Sequence, residues 1–103
     1  MNTKLLLPVL AAFFASPAFA DPVEDAMNKA GCMACHTKDK KLVGPAFKEI
    51  AAKYKGQDVT AKLMEKVRKG GSGSFGPVPM APNPPDKISD ADLKAAIELV
   101  LKS

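Results

Sequence analysis

The sequence predicts an all-α fold. Four stretches space their apolar residues at a helical period, no run alternates apolar with polar residues in the manner of a strand, and Gly and Pro punctuate the stretches. No internal repeat is visible, and the elements follow one another in a simple order.

The chain opens with a leader. Lys4 is followed by an apolar run over residues 5 to 14 and then by Ala18-Phe19-Ala20, a small-residue cleavage pattern, so residues 1–20 are expected to be a cleaved secretory signal. The run is too short for the roughly 20 residues of a membrane-spanning helix, and Pro8 and Pro17 interrupt it. Export to the periplasm follows as an expectation. The mature part is then a single domain, residues 21–103, with no membrane span.

The first helix of that domain takes Val23, Ala26, Met27 and Ala30 on one face, with Asp21 as cap, Pro22 in the first turn and Gly31 as stop. The second aligns Phe47, Ile50, Ala51 and Tyr54, begins near Pro45 and is closed by Gly56. A third, from about residue 58 to 69, carries Leu63, Met64 and Val67 and stops at Gly70-Gly71. The fourth opens on Ser89-Asp90-Ala91-Asp92, a capping-box variant, and aligns Leu93, Ala96, Ile97, Val100 and Leu101. Between the third and fourth lies GGSGSFGPVPMAPNPPDK, residues 70–87. Prolines at 77, 79, 82, 84 and 85 fix so many torsions that part of this loop is stiff and shaped.

Composition narrows the function. The formal charge of +4 falls to +3 once Lys4 leaves with the signal. Lysines alternate with acids along the helices and are not interleaved with aromatics, so nucleic acid is not an expected partner. The domain has no Trp, one Tyr, and only Phe47 and Phe75 beyond the signal. A core that sparse in a small exported domain calls for a disulfide, a metal or a large bound group.

Both cysteines and the single histidine fall in Cys32-Met33-Ala34-Cys35-His36. Two thiols three positions apart on one turn can each add to a vinyl group of haem, and the next residue then presents its imidazole to the iron. Cys-x-x-Cys-His is the attachment signature of c-type haem. A structural zinc would need four ligands of Cys or His type, and the chain has three. A thioredoxin-like pair belongs in a βαβ pattern that is missing here. A plain disulfide suits the compartment but leaves His36 and the sparse core unexplained.

With His36 on one side of the iron, its other ring nitrogen needs an acceptor to fix the tautomer, and the backbone carbonyl of Pro45 is the candidate. Thioether is the natural sixth ligand, since no second histidine or spare cysteine exists. Met1 leaves with the signal, Met33 is held in the attachment turn, and Met27 and Met64 sit on apolar helix faces. Met80 lies in the proline-stiffened loop, and is the expected ligand.

The stretches GCMACHTKDKKLVGPAFKEIAAKY and GGSGSFGPVPMAPN, together with the last helix, resemble the class I cytochromes c, in particular the small, single-haem, high-potential bacterial periplasmic subgroup, over essentially all of residues 21–103. The resemblance implies about four helices wrapped around one covalently bound haem c, with the first and last helices crossing. It implies attachment through Cys32 and Cys35, iron ligation by His36 and Met80, orientation of His36 by Pro45, and a hydrogen bond from Asn83 near the ligand methionine. The chain departs from the pattern in four places. Phe75 stands where relatives commonly have a Trp that donates to a haem propionate, Leu99 replaces an aromatic, Ala81 a frequent proline, and residues 84–87 lengthen the loop.

The expected function is one-electron carriage between respiratory complexes, not enzymatic catalysis. Partners of the family are quinol-oxidising complexes, terminal oxidases, nitrite reductases and peroxidases, and a monomer is expected. Lys38, Lys40 and Lys41 beside the haem motif would steer acidic partners. The alternative is a haem enzyme or gas sensor with an open or displaceable sixth position. Such sites usually carry polar distal groups, whereas the Met80 loop offers prolines and small residues.

Overall fold

The computed structural model describes residues 22–103; the leader expected over 1–20, and the cap expected at Asp21, lie outside the described residues. Four α-helices follow one another, α1 Pro22–Ala30, α2 Phe47–Lys53, α3 Thr60–Lys69 and α4 Asp90–Leu101, with a 3-10 turn Cys32–Ala34 after α1. Among the described residues there is no strand, only an isolated antiparallel bridge between Gly71 and Met80.

Helix α1 stops where the sequence places its stop. Gly31 takes φ +85°, a left-handed conformation that an L side chain rarely adopts, and its N–H closes the last turn on Asn28. Helices α2 and α3 each begin about two residues later than the periodicity suggests. In α2 the reason is Ala46, whose extended backbone (ψ 148°) delays the first helical turn to Phe47. No side chain caps α2; the carbonyls of Thr37 and Lys38 accept instead from the N–H groups of Phe47 (2.9 Å) and Lys48 (3.1 Å). The start of α2 is thereby fastened to the segment that follows His36. Helix α4 has a side-chain cap, with the Asp92 N–H donating to Ser89 Oγ at 3.2 Å.

Helix α4 packs against α1, α2 and α3. Its Leu93, Ala96 and Ile97 join Met27 of α1, Phe47 of α2 and Ile88 in one buried cluster, and Leu63, Met64 and Val67 of α3 pack against it. Each such large side chain contributes roughly 1.5–3 kcal/mol on full burial. Among the described residues, however, no large side chain is completely sealed from solvent, and only ten hydrophobic residues are buried. The helices thus meet around a space instead of closing over one another.

The 70–87 segment is folded back on α3. Gly70 ends that helix with φ +70° and ψ −155°, a combination nearly confined to glycine. A Cβ there would also collide with the Met80 carbonyl oxygen and come within 2.8 Å of Pro82 N. Gly71 and Met80 then exchange two backbone hydrogen bonds, at 2.9 and 2.8 Å, which pinch the loop shut at its neck. Its tip is held from α2: Lys53 Nζ donates to the Ser74 carbonyl and lies 4.5 Å from the centre of the Phe75 ring, and Tyr54 meets that ring edge-on at 6.3 Å. Phe75, which has no N–H to donate, serves here as an anchor for the loop.

Candidate functional site

The space left between the helices is a cavity of about 460 Å³, bordered by every helix and by the 70–83 loop. Cys32, Cys35, His36, Pro45, Met80 and Asn83 all border it. Residues far apart in sequence are brought to one volume by two devices, the turn after α1 and the pinched loop after α3.

The first device sets His36. The 3-10 turn closes with the Cys35 N–H donating to the Cys32 carbonyl at 3.2 Å, and the His36 N–H donates to the same carbonyl at 3.0 Å, which ties His36 to the turn that carries both cysteines. The chain then returns, with Gly44 N–H donating to Cys35 O at 2.7 Å, and places Pro45 beside the ring. His36 Nδ1 donates to the Pro45 carbonyl at 2.7 Å, which fixes the tautomer and leaves Nε2 as the basic nitrogen. Phe47 stacks on the imidazole, centroids 5.5 Å apart and planes 22° apart, and the residue is 9% exposed.

Gly44 is part of this arrangement for a steric reason. A Cβ on it would lie 2.5 Å from His36 Cε1 and 2.9 Å from Nδ1. Gly44→Ala is therefore expected to rotate the imidazole off the Pro45 carbonyl and to cost about 1–3 kcal/mol. Urea unfolding and the ring-proton shifts of His36 check this; an unmoved ring and unchanged midpoint would show that the neighbouring loop yields instead.

Both cysteines are free thiols, Cys32 half-buried and Cys35 exposed. Burial pushes the Cys32 thiol above its ordinary value; its backbone hydrogen bond opposes this and the nearby Cys35 adds to it. Cys32 thus stays protonated at neutral pH, unlike the depressed-pKa nucleophile of a dithiol oxidoreductase.

The second device sets Met80, half-buried at the cavity wall and held by its own backbone bonds to Gly71. Asn83, 9% exposed, follows it. Its Nδ2 donates to Ala81 O at 3.0 Å and to Val67 O at 3.4 Å, and its N–H to Val67 O at 3.0 Å, so its side chain braces the residue next to Met80. Arg68, which the sequence reading passed over, fastens the same segment from α3. Its Nη1 donates to the carbonyls of Asn83 (3.0 Å) and Ile88 (2.8 Å), and its Nη2 to Asp90 Oδ1 (2.6 Å). No spacing rule pointed to it, because its partners are 15 to 22 residues away.

An all-α scaffold that gathers two thiols, one oriented imidazole and the loop-borne Met80 thioether around an apolar volume is that of a c-type cytochrome. The chain belongs to the cytochrome c family, whose profile matches residues 20–103, and its fold is that of the class I members. It is 54% identical over 85 residues to cytochrome c2 of Rubrivivax gelatinosus, covering 82% of this chain and 99% of that protein. It is 40% identical over 102 residues to cytochrome c-552 of Nitrosomonas europaea, covering 98% and 97%. The crystal structure of wild-type Nitrosomonas europaea cytochrome c552 superposes with a TM-score of 0.70 at 44% identity, over 77% of this chain and 96% of that one. The class 1 cytochrome MtoD of Sideroxydans lithotrophicus superposes with a TM-score of 0.65 at 26% identity, over 78% and 90%.

Membership brings one covalently bound haem c, and the residues present fit it. The thiols are unpaired, Nδ1 is committed to Pro45 while Nε2 is not, and the cavity is a large, mainly apolar volume that the sparse aromatics leave unfilled. Among the described residues no cluster of three or more His, Cys, Asp or Glu offers a competing metal site, and no helix is long and apolar enough to cross a membrane.

Proposed function

We propose that the protein is a periplasmic one-electron carrier whose haem is attached through Cys32 and Cys35 and ligated by His36 and Met80. The observation that carries this reading is the convergence of the Pro45-oriented imidazole and the braced Met80 on one cavity that also holds both thiols. Bound haem supplies the ferric/ferrous couple. The chain's own residues do the rest: Nε2 of His36 and the Met80 thioether would hold the iron, and a thioether ligand would favour the ferrous state and a high potential. The His36 bond to the Pro45 carbonyl, the backbone pair of Gly71 and Met80 and the Asn83 amide on the Ala81 carbonyl hold both residues in place, so little has to reorganise when charge changes.

Electron exchange is placed at the rim where Cys35 is exposed. Leu42 and Val43, 53% and 51% exposed, precede Gly44, whose N–H donates to the Cys35 carbonyl, and the exposed Lys38, Lys40 and Lys41 come just before them in the chain. An exposed apolar pair next to lysines suits brief encounters with acidic redox partners, at rates that fall as salt rises. Respiratory complexes of the quinol-oxidising, terminal-oxidase, nitrite-reductase or peroxidase kinds are the proposed partners. The mature protein is residues 21–103, released from its leader by cleavage.

The test is carbon monoxide binding to the reduced, periplasm-matured protein. A carrier with both positions filled binds it slowly and incompletely at neutral pH; rapid, complete binding would establish an open site and the enzyme or sensor reading instead. A positive pyridine haemochrome assay on the same sample verifies haem, and its persistence on the polypeptide after acidic acetone extraction verifies covalent attachment.

A further inference from the structure

We propose that Arg68 is a positioning residue, a latch that sets how often the Met80 loop opens; the functional part of this rests on Met80 as iron ligand. Arg68 is the single arginine of the chain, and its side chain is only 18% exposed despite its place in the last turn of α3. Its guanidinium ties three points of the 83–90 stretch to α3. Nη1 holds the Asn83 carbonyl, three residues after Met80, and the Ile88 carbonyl, at the threshold of α4; Nη2 holds the Asp90 carboxylate in the first turn of α4.

The neighbouring residue on α3 acts on the same point, since the Val67 carbonyl accepts the Asn83 N–H. The loop is therefore closed at two places. The Gly71–Met80 bridge closes its neck, and the Val67–Arg68 step clamps its exit at Asn83. The Asn83 N–H to Val67 bond of the exit clamp is backbone to backbone, whereas its Arg68 bonds are made by a side chain and are removable by substitution without disturbing the bridge.

The two halves of the guanidinium do different work. Asp90 is 82% exposed and its ion pair is screened by water, so that half contributes little. The carbonyls of Asn83 and Ile88 lie in part-buried surroundings, where losing a charged donor leaves acceptors without a partner. The planar fork also explains the residue type. A lysine ammonium is a point charge without the fixed geometry that reaches two carbonyls and a carboxylate together.

The experiment uses the haem-loaded protein and its Arg68→Gln, Arg68→Lys and Asp90→Asn variants. Imidazole binding to the ferric form reads loop opening at the iron, and native-state hydrogen exchange at the Met80 and Asn83 amides reads it without reference to the iron. For Arg68→Gln both are expected to speed up by about tenfold or more, as loss of a charge-assisted bond to part-buried carbonyls implies. The α1 and α4 core amides should hold their protection. Arg68→Lys should recover little of the loss, and Asp90→Asn should change either rate by less than about threefold.

The latch is overturned if exchange rises equally at all amides, if Arg68→Gln changes neither rate, or if Arg68→Lys restores both. It is also overturned if Asp90→Asn matches Arg68→Gln, since the ion pair would then carry the effect. Failure of Met80 as ligand is separately visible: Met80→Ala would leave the potential and the thioether-to-iron absorption band unchanged, while amide exchange at positions 80 and 83 still decides the latch.

Discussion

Met80→Ala is expected to lower the reduction potential by on the order of a quarter of the roughly 0.8 V that axial ligands span in haem proteins. A thioether is soft and stabilises the ferrous state, whereas the water that replaces it stabilises the ferric state. The fold should survive, because the bonds that hold position 80 to Gly71 are backbone bonds and do not need the side chain. Redox titration and carbon monoxide binding check both halves: the potential falls, and the reduced protein now binds the gas fast and completely. Met27→Leu is the control. Met27 also borders the cavity, but at 2% exposure it belongs to the helix cluster, and a volume-conserving change there should leave the potential nearly where it was. A large fall for Met27→Leu with none for Met80→Ala would move the ligand sulfur from the loop to α1.

The Cys32→Ala, Cys35→Ala chain, which cannot be loaded covalently, is expected to be largely unfolded. Without the haem the helices border an apolar space of about 460 Å³ that no side chain fills, and a core left unfilled loses stability in proportion to the space, against a total of only about 5–15 kcal/mol for an ordinary domain. The remaining core cannot offset this, as it consists of a few aliphatic contacts made by α4. Far-UV circular dichroism should show most helicity gone at 25 °C, while the wild-type holoprotein keeps it. Full native helicity in the double variant would mean that the helices are held by one another and not by the group they surround.

Much of this was legible beforehand because it is local. Apolar residues at helical spacing in 23–30 and 93–101 gave α1 and α4, and the Ser89 cap and Gly31 stop gave their ends. The cavity-bordering thiols and imidazole were visible as five consecutive positions, and Pro45 as the nearest carbonyl of the returning chain. The turn itself was expected to be helical and is 3-10, a tightening that spacing alone does not distinguish. What escaped the sequence is non-local. Phe75 looked like a missing hydrogen-bond donor, and its role as an anchor needs Lys53 and Tyr54 from another helix. Gly70 looked like a helix stop, and its closeness to the Met80 carbonyl arises only when the loop returns. Arg68 looked like one more surface cation among fourteen lysines.

The paired backbone bonds between Gly71 and Met80 have a further effect on how the iron meets small molecules. On the proposed ligation by Met80, a sulfur that lets go does not diffuse away; it stays on a short leash at an effective concentration on the order of millimolar or more. Free imidazole, sulfide or nitrite in the surroundings must outcompete that local supply, so trace ligands leave the carrier working and only an excess silences it.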